Sequence, residues 1–331
     1  MKAHRRTWLR RSAIALAVAG LGLAIPGLVP GLLAPAKAEP EKLRISIIPI
    51  NDVTPLFAAI QNGYFADEGL TIDTSPSAGG ATGIPGLVAG SFDIVYGNVV
   101  SMLLAAQQGI EIRVIAPGTK IDTKESDQSA MVVRADSGIK TGKDLEGKSV
   151  GVNTRNNVIW LYARAWIKAT GGDPDRVTYR EVPHPQMEDA LRQKQIDAGF
   201  MVIPYVAIAT EKPDLKAIAH PYSEVQLGVD VGQYLTTAQL LHDRPETAAK
   251  FVRALRRGIE WYNANLGKPE LLKIVSGFTR IDVNVLQRVP MSPSPVKADP
   301  KQIDITMQLM IENKLLKAPV ETKPLIAAQA L

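Results

Sequence analysis

Short runs rich in β-branched residues alternate with helical runs from Leu43 to about Ala219, and this alternation limits the fold more than any other feature of the sequence. Repeated strand–helix pairs of this kind are typical of βαβ units built around mainly parallel sheets. The sequence therefore predicts an α/β protein. Eight strands are predicted in this part of the chain, at residues 43–48, 70–74, 93–97, 111–117, 149–152, 177–182, 197–202 and 214–219.

The first predicted helix follows the first strand directly. Thr54 is the expected N-terminal cap, because Pro55 suits the first position of a helix. Phe57, Ile60 and Tyr64 recur at helical spacing and are expected to form the buried face. A longer helix is predicted at residues 245–263, with an apolar stripe of Phe251, Leu255, Ile259 and Tyr262.

The chain is expected to cross twice between two lobes. Residues 130–138 indicate the first crossing, and a return near residues 227–235 would bring the rest of the chain back to the first lobe. No long flexible linker is present, so short strands should join the lobes, with hinges near Arg134 and Gly228 to Gly232. The predicted division is residues 39–134 and 229–331 for lobe one and residues 135–228 for lobe two.

The first 38 residues have the composition of an export signal. Arginines at positions 5, 6, 10 and 11 precede an apolar run from Ser12 to Ala34, and residues 36–38 give a small-x-small cleavage site. The glycines and prolines of the run make a permanent membrane anchor the poorer interpretation. Residues 4–10 also resemble the twin-arginine export motif. We predict a periplasmic protein with a removable signal peptide, exported by the twin-arginine or the general secretory route.

Charge and cysteine content exclude several classes of function. The predicted signal holds six of the 38 basic residues and none of the 33 acidic residues, so the remaining 32 basic residues leave a net charge of −1. This balance offers no basic surface for nucleic acid. The chain has no cysteine, which excludes a lipid anchor at a lipobox, disulfides, thiolate metal sites and a cysteine nucleophile. We expect no metal and no cofactor.

The residues that catalysis would need are not arranged for it. His184, His220 and His242 each lie near a proline or on an expected surface loop. The HExxH, GxSxG and phosphate-binding-loop motifs are missing from the sequence. We therefore expect a binding protein rather than an enzyme.

Polar segments follow several predicted strands at their carboxyl ends. In an open α/β sheet these ends, and the helix N-termini after them, face one crevice, and helix N-termini suit anionic groups. In a two-lobed protein this crevice lies between the lobes. The candidate ligand-binding residues are Asn51, Asp52, Thr54, Gly80, Thr82, Asn98, Thr154, Arg155, Asn156, Tyr205 and Asp230.

Arg155 is the leading candidate for contact with an anion. It follows a buried strand near the start of a helix, and a guanidinium can bind an oxyanion through two hydrogen bonds. A solvated arginine, or one paired with a carboxylate, is the alternative. Thr154 and Asn156 are equally good helix caps. Asp52 and Asp230 would repel an anion, so if they line the cleft, the ligand carries an amine or N–H donors as well.

Four short segments follow one another in a distinctive order. Residues 59–70 read AIQNGYFADEGL, residues 86–97 GLVAGSFDIVYG, residues 144–152 DLEGKSVGV and residues 190–198 ALRQKQIDA. This series resembles the solute-binding proteins of ABC importers for sulfonate, nitrate, taurine and thiamine precursors. Lys194 replaces a glycine of the family pattern. Each motif is weak alone, but their order and spacing are specific and cover most of residues 43–260.

The resemblance implies a two-lobed, type II periplasmic binding fold whose lobes close over a ligand in the cleft between them. It implies capture of a small anionic organic solute, such as an aliphatic sulfonate, a taurine-like compound or a carboxylate, and delivery to an inner-membrane ABC permease. Two alternatives stay open: a thiamine-precursor pyrimidine or other neutral heterocycle as ligand, and a role as ligand-sensing partner of a membrane receptor. We expect a monomer that does not bind nucleic acid.

Overall fold

The structure, a computed structural model, describes residues 39–331. The predicted signal peptide, residues 1–38, lies outside the described residues. Between residues 39 and 331, no helix combines the length and the apolar character needed to cross a membrane.

Two five-stranded sheets form the framework of the described residues. The strands are β1 Glu41–Ile47, β2 Leu70–Pro76, β3 Ile94–Gly97, β4 Ile112–Ile121, β5 Ala130–Arg134, β6 Ser149–Val152, β7 Thr178–Glu181, β8 Ala198–Met201, β9 Leu215–Ala219 and β10 Val229–Thr237. The first sheet has the order β2-β1-β3-β10-β4, and the second has the order β7-β6-β8-β5-β9. All eight predicted strands are present, with ends that shift by a few residues.

Helices connect the strands and cover the sheets. They are α1 Thr54–Gln61, α2 Tyr64–Asp67, α3 Gly80–Val88, α4 Val99–Gln107, α5 Val158–Ala169, α6 His184–Arg192, α7 Tyr205–Ala209, α8 Pro221–Val225, α9 Ala238–Asp243, α10 Pro245–Ala264, α11 Pro269–Thr279, α12 Val283–Leu286 and α13 Pro300–Glu312. This succession of strands and helices confirms the predicted α/β class.

Both sheets are mixed: in each, four strands run in one direction, as expected of mainly parallel sheets, and one strand runs against them. In the first sheet β1 runs parallel to β2 and β3, whereas β10 runs antiparallel to β3 and β4. The second sheet repeats this arrangement, because β6 runs parallel to β7 and β8, whereas β5 runs antiparallel to β8 and β9. The reversed strands, β5 and β10, each stand fourth in their sheet, and each is the strand that the chain enters directly from the other sheet.

The chain passes between the sheets twice, through residues 122–129 and residues 220–228. Arg134, near which one hinge was expected, lies at the end of β5 and pairs with β9 in the second sheet. The first crossing therefore precedes Arg134, while the second ends where β10 begins. The residue boundaries of the two lobes stay a prediction. We use "lobe" below for each sheet with the helices that cover it.

The first helix differs from its prediction in its start and in its buried face. Thr54 is the first helical residue, and its Oγ1 donates a hydrogen bond of 2.6 Å to the carbonyl of Asn51. The buried face is formed by residues such as Leu56 and Ala59, because α10 packs against it, with Gly258 directly on Ala59. Phe57, Ile60 and Tyr64 are half-buried at the edge of this contact. The stripe predicted for the longer helix is buried as expected: Phe251, Leu255, Ile259 and Tyr262.

Candidate functional site

Two small cavities lie between the lobes, beyond the carboxyl ends of strands from both sheets. The first, which we call the central chamber, has a volume of about 30 Å³. The second, the crossing chamber, has a volume of about 50 Å³ and borders residues of the first crossing segment. Four residues line both chambers: Asp52, Val202, Tyr222 and Val231. A solute enclosed here must therefore be small.

Direct hydrogen bonds hold the lobes together around these chambers. The Asn153 side chain donates to the carbonyl of Ala78 at 2.8 Å, and the Tyr205 hydroxyl donates to the carbonyl of Pro49 at 2.9 Å. The Ser101 hydroxyl donates to the carbonyl of Asn156 at 3.1 Å. Each bond joins one lobe to the other, so the structure shows the lobes closed on each other.

Two helix N-termini from opposite lobes face the central chamber. Asn98 caps α4 by accepting a hydrogen bond of 3.0 Å from the Ser101 amide. Asn157 caps α5 by accepting one of 2.9 Å from the Trp160 amide, and it also donates to Asn153 at 2.7 Å. The first residues of α5 line the chamber. The N-terminal amides of a helix lack partners within the helix and carry partial positive charge, so this wall favours hydrogen-bond acceptors and anions.

One carboxyl group faces the same chamber from the first lobe. Asp52 accepts a hydrogen bond of 3.2 Å from the Tyr96 hydroxyl. The residue keeps some exposure, but its carboxyl lies between the lobes, and burial raises its pKa above the ordinary value. No lysine or arginine of the described residues lines the central chamber. The chamber thus combines a wall of donors with one acidic group.

Two further polar side chains of the central chamber have no hydrogen-bond partner among the described residues. Tyr222 is 1% exposed and its hydroxyl is unpartnered. His184 is 3% exposed, and both of its ring nitrogens are unpartnered. Burial lowers the pKa of His184 to about 4, so its ring is neutral near pH 7. Such atoms are available to a bound molecule.

The crossing chamber differs in its chemistry. Lys120 lines it, but the ammonium group pairs with Asp122 at 2.9 Å and with Asp299 at 3.6 Å. Hydroxyl and amide groups make most of the remaining polar lining, and they include Asn51, Thr119, Gln128, Tyr262 and Ser292. This chamber is therefore polar. Lys120 is the one cationic residue of its described lining, and its charge is balanced by the two ion pairs.

A larger cavity of about 480 Å³ lies between α3 and α4, and Asn156 of lobe two also lines it. Its walls are mostly apolar and include Ile84, Val88 and Leu104. None of its lining residues carries a buried polar atom without a partner. The chambers between the lobes are therefore the better candidate site, although they are smaller. Across residues 39–331, no group of three or more histidine, aspartate or glutamate side chains is placed to hold a metal ion.

Three of the sequence-predicted candidates line the chambers. Asp52 lines both, Asn98 lines the central chamber and Asn51 lines the crossing chamber. The other candidates from the first lobe serve the local structure instead. Thr54 is fully buried at the start of α1, and Gly80 lies against the backbone of Gly97. Thr82 is exposed and bonds back to Gly79 at the start of α3.

The candidates after β6, among them Arg155, do not line either chamber. Its side chain is 60% exposed, and its guanidinium lies 3.9 Å from Glu181, which also accepts the Arg155 amide at 2.7 Å. Asn156 is exposed, with a left-handed backbone at φ 56°, and its carbonyl accepts the bond from Ser101. Thr154 is buried beside Gly79. Arg155 is thus the carboxylate-paired surface arginine of the alternative interpretation.

Tyr205 and Asp230 also lie outside the chamber walls. Tyr205 spans the lobes through its bond to Pro49 and stacks on His184, with ring centroids 6.2 Å apart. Asp230 is 5% exposed in β10 and accepts a hydrogen bond of 2.6 Å from Gln233. Burial raises the pKa of Asp230 to about 7. In the structure both residues contact other protein groups: Tyr205 bonds to Pro49 and stacks on His184, and Asp230 bonds to Gln233.

Replacing Asp230 with asparagine is expected to stabilise the protein at pH 8. The folded-state pKa of about 7 lies above the ordinary 3.8, so the free energy of unfolding falls as the pH rises from about 4 to about 7. Asparagine keeps the bond from Gln233 without the buried charge. We expect a gain of about 1–3 kcal/mol at pH 8 and almost none at pH 4, measured by urea denaturation at both pH values.

The matched control for this experiment is Asp73→Asn, which removes an exposed carboxylate that pairs with Lys42. It should change stability by less than about 1 kcal/mol at either pH. Destabilisation by Asp230→Asn at pH 8, or an equal gain at both pH values, would contradict this account of Asp230.

Sequence reasoning missed several residues of the central chamber. His184 was noted only as a histidine near a proline or on a surface loop, with no role in the site, but it begins α6 and is buried between the lobes. Tyr96 lies within β3 and Tyr222 within α8, where tyrosines are equally expected in a core. One signal could have found His184: it follows β7 by three residues, as the recognised candidates follow their strands.

Comparisons with known proteins agree with this architecture. The family described as NMT1/THI5 like matches residues 50–266. The nitrate/nitrite binding protein NrtA of Nostoc sp. is 22% identical over 265 residues, which cover 72% of this chain. The chain spans 58% of the length of that relative.

Two solved structures are similar to the whole described part of the chain. The alkanesulfonate-binding protein SsuA from Xanthomonas axonopodis pv. citri, bound to MOPS, gives a TM-score of 0.73 at 17% identity, over 88% of this chain and 99% of that one. The periplasmic nitrate-binding protein NrtA from Synechocystis PCC 6803 gives 0.70 at 14% identity, over 86% and 84%. These likenesses confirm the type II periplasmic binding fold.

Proposed function

We propose that this chain, which belongs to the NMT1/THI5-like family, is a periplasmic solute-binding protein that encloses a small organic solute between its lobes and delivers it to an ABC importer. The single observation that carries the proposal is the pair of chambers between the lobes, where buried polar groups of Tyr222 and His184 have no hydrogen-bond partner within residues 39–331. Nucleophilic catalysis would need a nucleophile placed against a base. The central chamber offers hydrogen bonds and a dipole instead.

The chemistry of the central chamber supports a solute with two kinds of group. The N-terminus of α5, the Tyr222 hydroxyl and the His184 ring form a wall on lobe two that suits an anionic or acceptor head group. Asp52 on lobe one suits a protonated amine or an N–H donor. We infer that the ligand is a small zwitterionic acid, of which taurine is the simplest aliphatic sulfonate example. The sulfonate and nitrate named for the similar proteins support the anionic end.

A thermal-shift panel of matched pairs tests this ligand class. Taurine is compared with ethanesulfonate, and glycine with acetate, because each pair differs only by the amine. Nitrate and a neutral aminopyrimidine complete the panel. The proposal expects the amine-bearing member of a pair to raise the melting temperature more than its partner. A folded protein that responds to nothing in the panel would contradict the proposal.

A neutral heterocycle is the second candidate ligand, and one observation favours it. No lysine or arginine lines the central chamber in the described part of the chain, so a full negative charge would rely on helix dipoles and neutral donors alone. A response to the aminopyrimidine without any response to the acids would support this candidate.

Delivery, location and assembly are part of the same proposal. The predicted signal peptide supports a periplasmic location, and the permease of an ABC importer is the proposed partner. We propose that the protein acts as a monomer and has no enzymatic activity.

Uptake of labelled taurine by cells, measured with and without the gene, tests delivery. Normal uptake without the gene, together with a lost transcriptional response to taurine, would favour the sensing role instead.

Replacing Arg155 with alanine is expected to leave taurine affinity within about twofold of wild type. The side chain is exposed and pairs with Glu181 on the surface, and such pairs contribute at most about 1 kcal/mol to stability. Isothermal titration calorimetry at pH 7 measures the change. A loss of tenfold or more would return Arg155 to the site.

A further inference from the structure

His184 is buried in a way that packing alone does not explain. It lies between Pro183 and Pro185 at the start of α6 and is 3% exposed. Neither ring nitrogen has a hydrogen-bond partner among the described residues. Each of these atoms loses its hydrogen bonds to water on burial, which destabilises the folded state. A buried polar ring of this kind is better explained by a ligand that binds to it reversibly.

The His184 ring forms the boundary between two spaces. The residue lines the central chamber. It also lines a crevice of about 250 Å³ whose walls include prolines from both lobes, among them Pro49, Pro76 and Pro183. The ring stacks on Tyr205 at an interplanar angle of 9°, and Tyr205 is itself bonded to Pro49. The orientation of the imidazole is therefore fixed while the lobes are closed.

The residues around His184 indicate which group of the solute it contacts. It shares the lobe-two wall with Tyr222 and the N-terminus of α5, all of which offer hydrogen-bond donors. The carboxyl of Asp52 and the hydroxyl of Tyr96 belong to the opposite wall, on lobe one. No lysine or arginine from the described residues lines the chamber or the proline crevice. The donor wall is the place for an acceptor head group.

We propose that His184 is a ligand-binding residue that donates a hydrogen bond to the acidic head group of the solute in the central chamber. This inference rests on the proposed function and assigns one specific contact within it. The neutral imidazole supplies one N–H donor, and the fixed ring orientation aims it without further loss of side-chain freedom. His184 also seals the chamber from the proline crevice once the solute is inside.

Two substitutions separate this role from a structural one. His184→Phe keeps a flat ring against Tyr205 but removes both nitrogens, whereas His184→Gln keeps an N–H donor. Calorimetric titration with taurine at pH 7 gives affinity, and a thermal melt without ligand gives stability. We expect His184→Phe to lose at least about tenfold in affinity with an unchanged or higher melting temperature. His184→Gln should stay within about threefold of wild type.

The possible outcomes are distinguishable. Full affinity in His184→Phe, with wild type binding taurine, would overturn the contact with His184 but not the proposed function. A lower melting temperature for His184→Phe without ligand would also overturn it, because the nitrogens would then stabilise the empty protein. If wild type binds none of the small acids, the proposed ligand class fails, and the contact to an acidic head group fails with it.

Discussion

A Gly79→Val variant is expected to fold normally and to lose at least about a hundredfold in affinity for its solute, because the added side chain would hold the lobes apart. Gly79 precedes α3 on lobe one. A Cβ atom there would lie 2.9 Å from both the Asn153 amide nitrogen and the Thr154 hydroxyl of lobe two. The remaining atoms of valine would reach further into the same contact.

The open state should tolerate this change. Gly79 has a φ of 171°, an extended backbone that any residue adopts, so valine adds no backbone strain. The steric clash of valine arises only when the lobes close. A closed state disfavoured by about 3 kcal/mol lowers the apparent affinity by about a hundredfold. Calorimetric titration with taurine measures the loss. Small-angle scattering should show no compaction of the variant at saturating ligand.

The control for this substitution is Gly277→Ala in α11, where an added Cβ meets nothing closer than 3.9 Å. It should bind taurine as tightly as wild type. Two results would contradict the account of Gly79: wild-type affinity in Gly79→Val, or a clear drop in the melting temperature of the empty variant. The first would mean that binding does not need the closed contact.

An Asp52→Asn variant is expected to reverse the preference between taurine and ethanesulfonate. The Asp52 carboxyl is the acidic group of the central chamber, and an ammonium bound there would keep it ionised despite its raised pKa. Replacing it with an amide removes a charge-assisted contact, which we expect to weaken taurine by about 30- to 300-fold. Ethanesulfonate should bind as well as before or better, because a source of repulsion is gone.

Calorimetric titrations of both ligands at pH 7 test this reversal, with Asp73→Asn as the surface control. A uniform loss for both ligands would indicate that Asp52 supports the structure of the cleft rather than the amine. If wild type bound ethanesulfonate more tightly than taurine, the proposal that the ligand carries an amine would be wrong.

Local sequence patterns predicted most of the elements. The strand Ser149–Val152 was located to the residue, because a Gly-Lys turn precedes it and a polar segment follows. The stripe on α10 was correct because a twenty-residue amphipathic helix repeats its signal many times. The direction of β5 and β10 was missed. Alternation of side chains along a strand carries no information on whether its neighbours run parallel to it.

The site was predicted less completely, for reasons that the structure makes plain. Asp52 and Asn98 were predicted to face the cleft because they follow strands, and both line the central chamber. Arg155 follows a strand too, but the next residue, Asn156, turns the backbone with a positive φ and the side chain ends on the surface. His184 was not proposed for the site, because it was noted only as a histidine near a proline or on a surface loop. Its burial depends on the other lobe.

The most direct test of solute capture between the lobes is a crystal structure of the protein with taurine. The account predicts taurine in the central chamber, its sulfonate at the N-terminus of α5 and within hydrogen-bonding distance of His184, and its ammonium at Asp52, with the lobes closed. Taurine in the apolar groove between α3 and α4, or on an outer surface with the chambers unchanged, would contradict it.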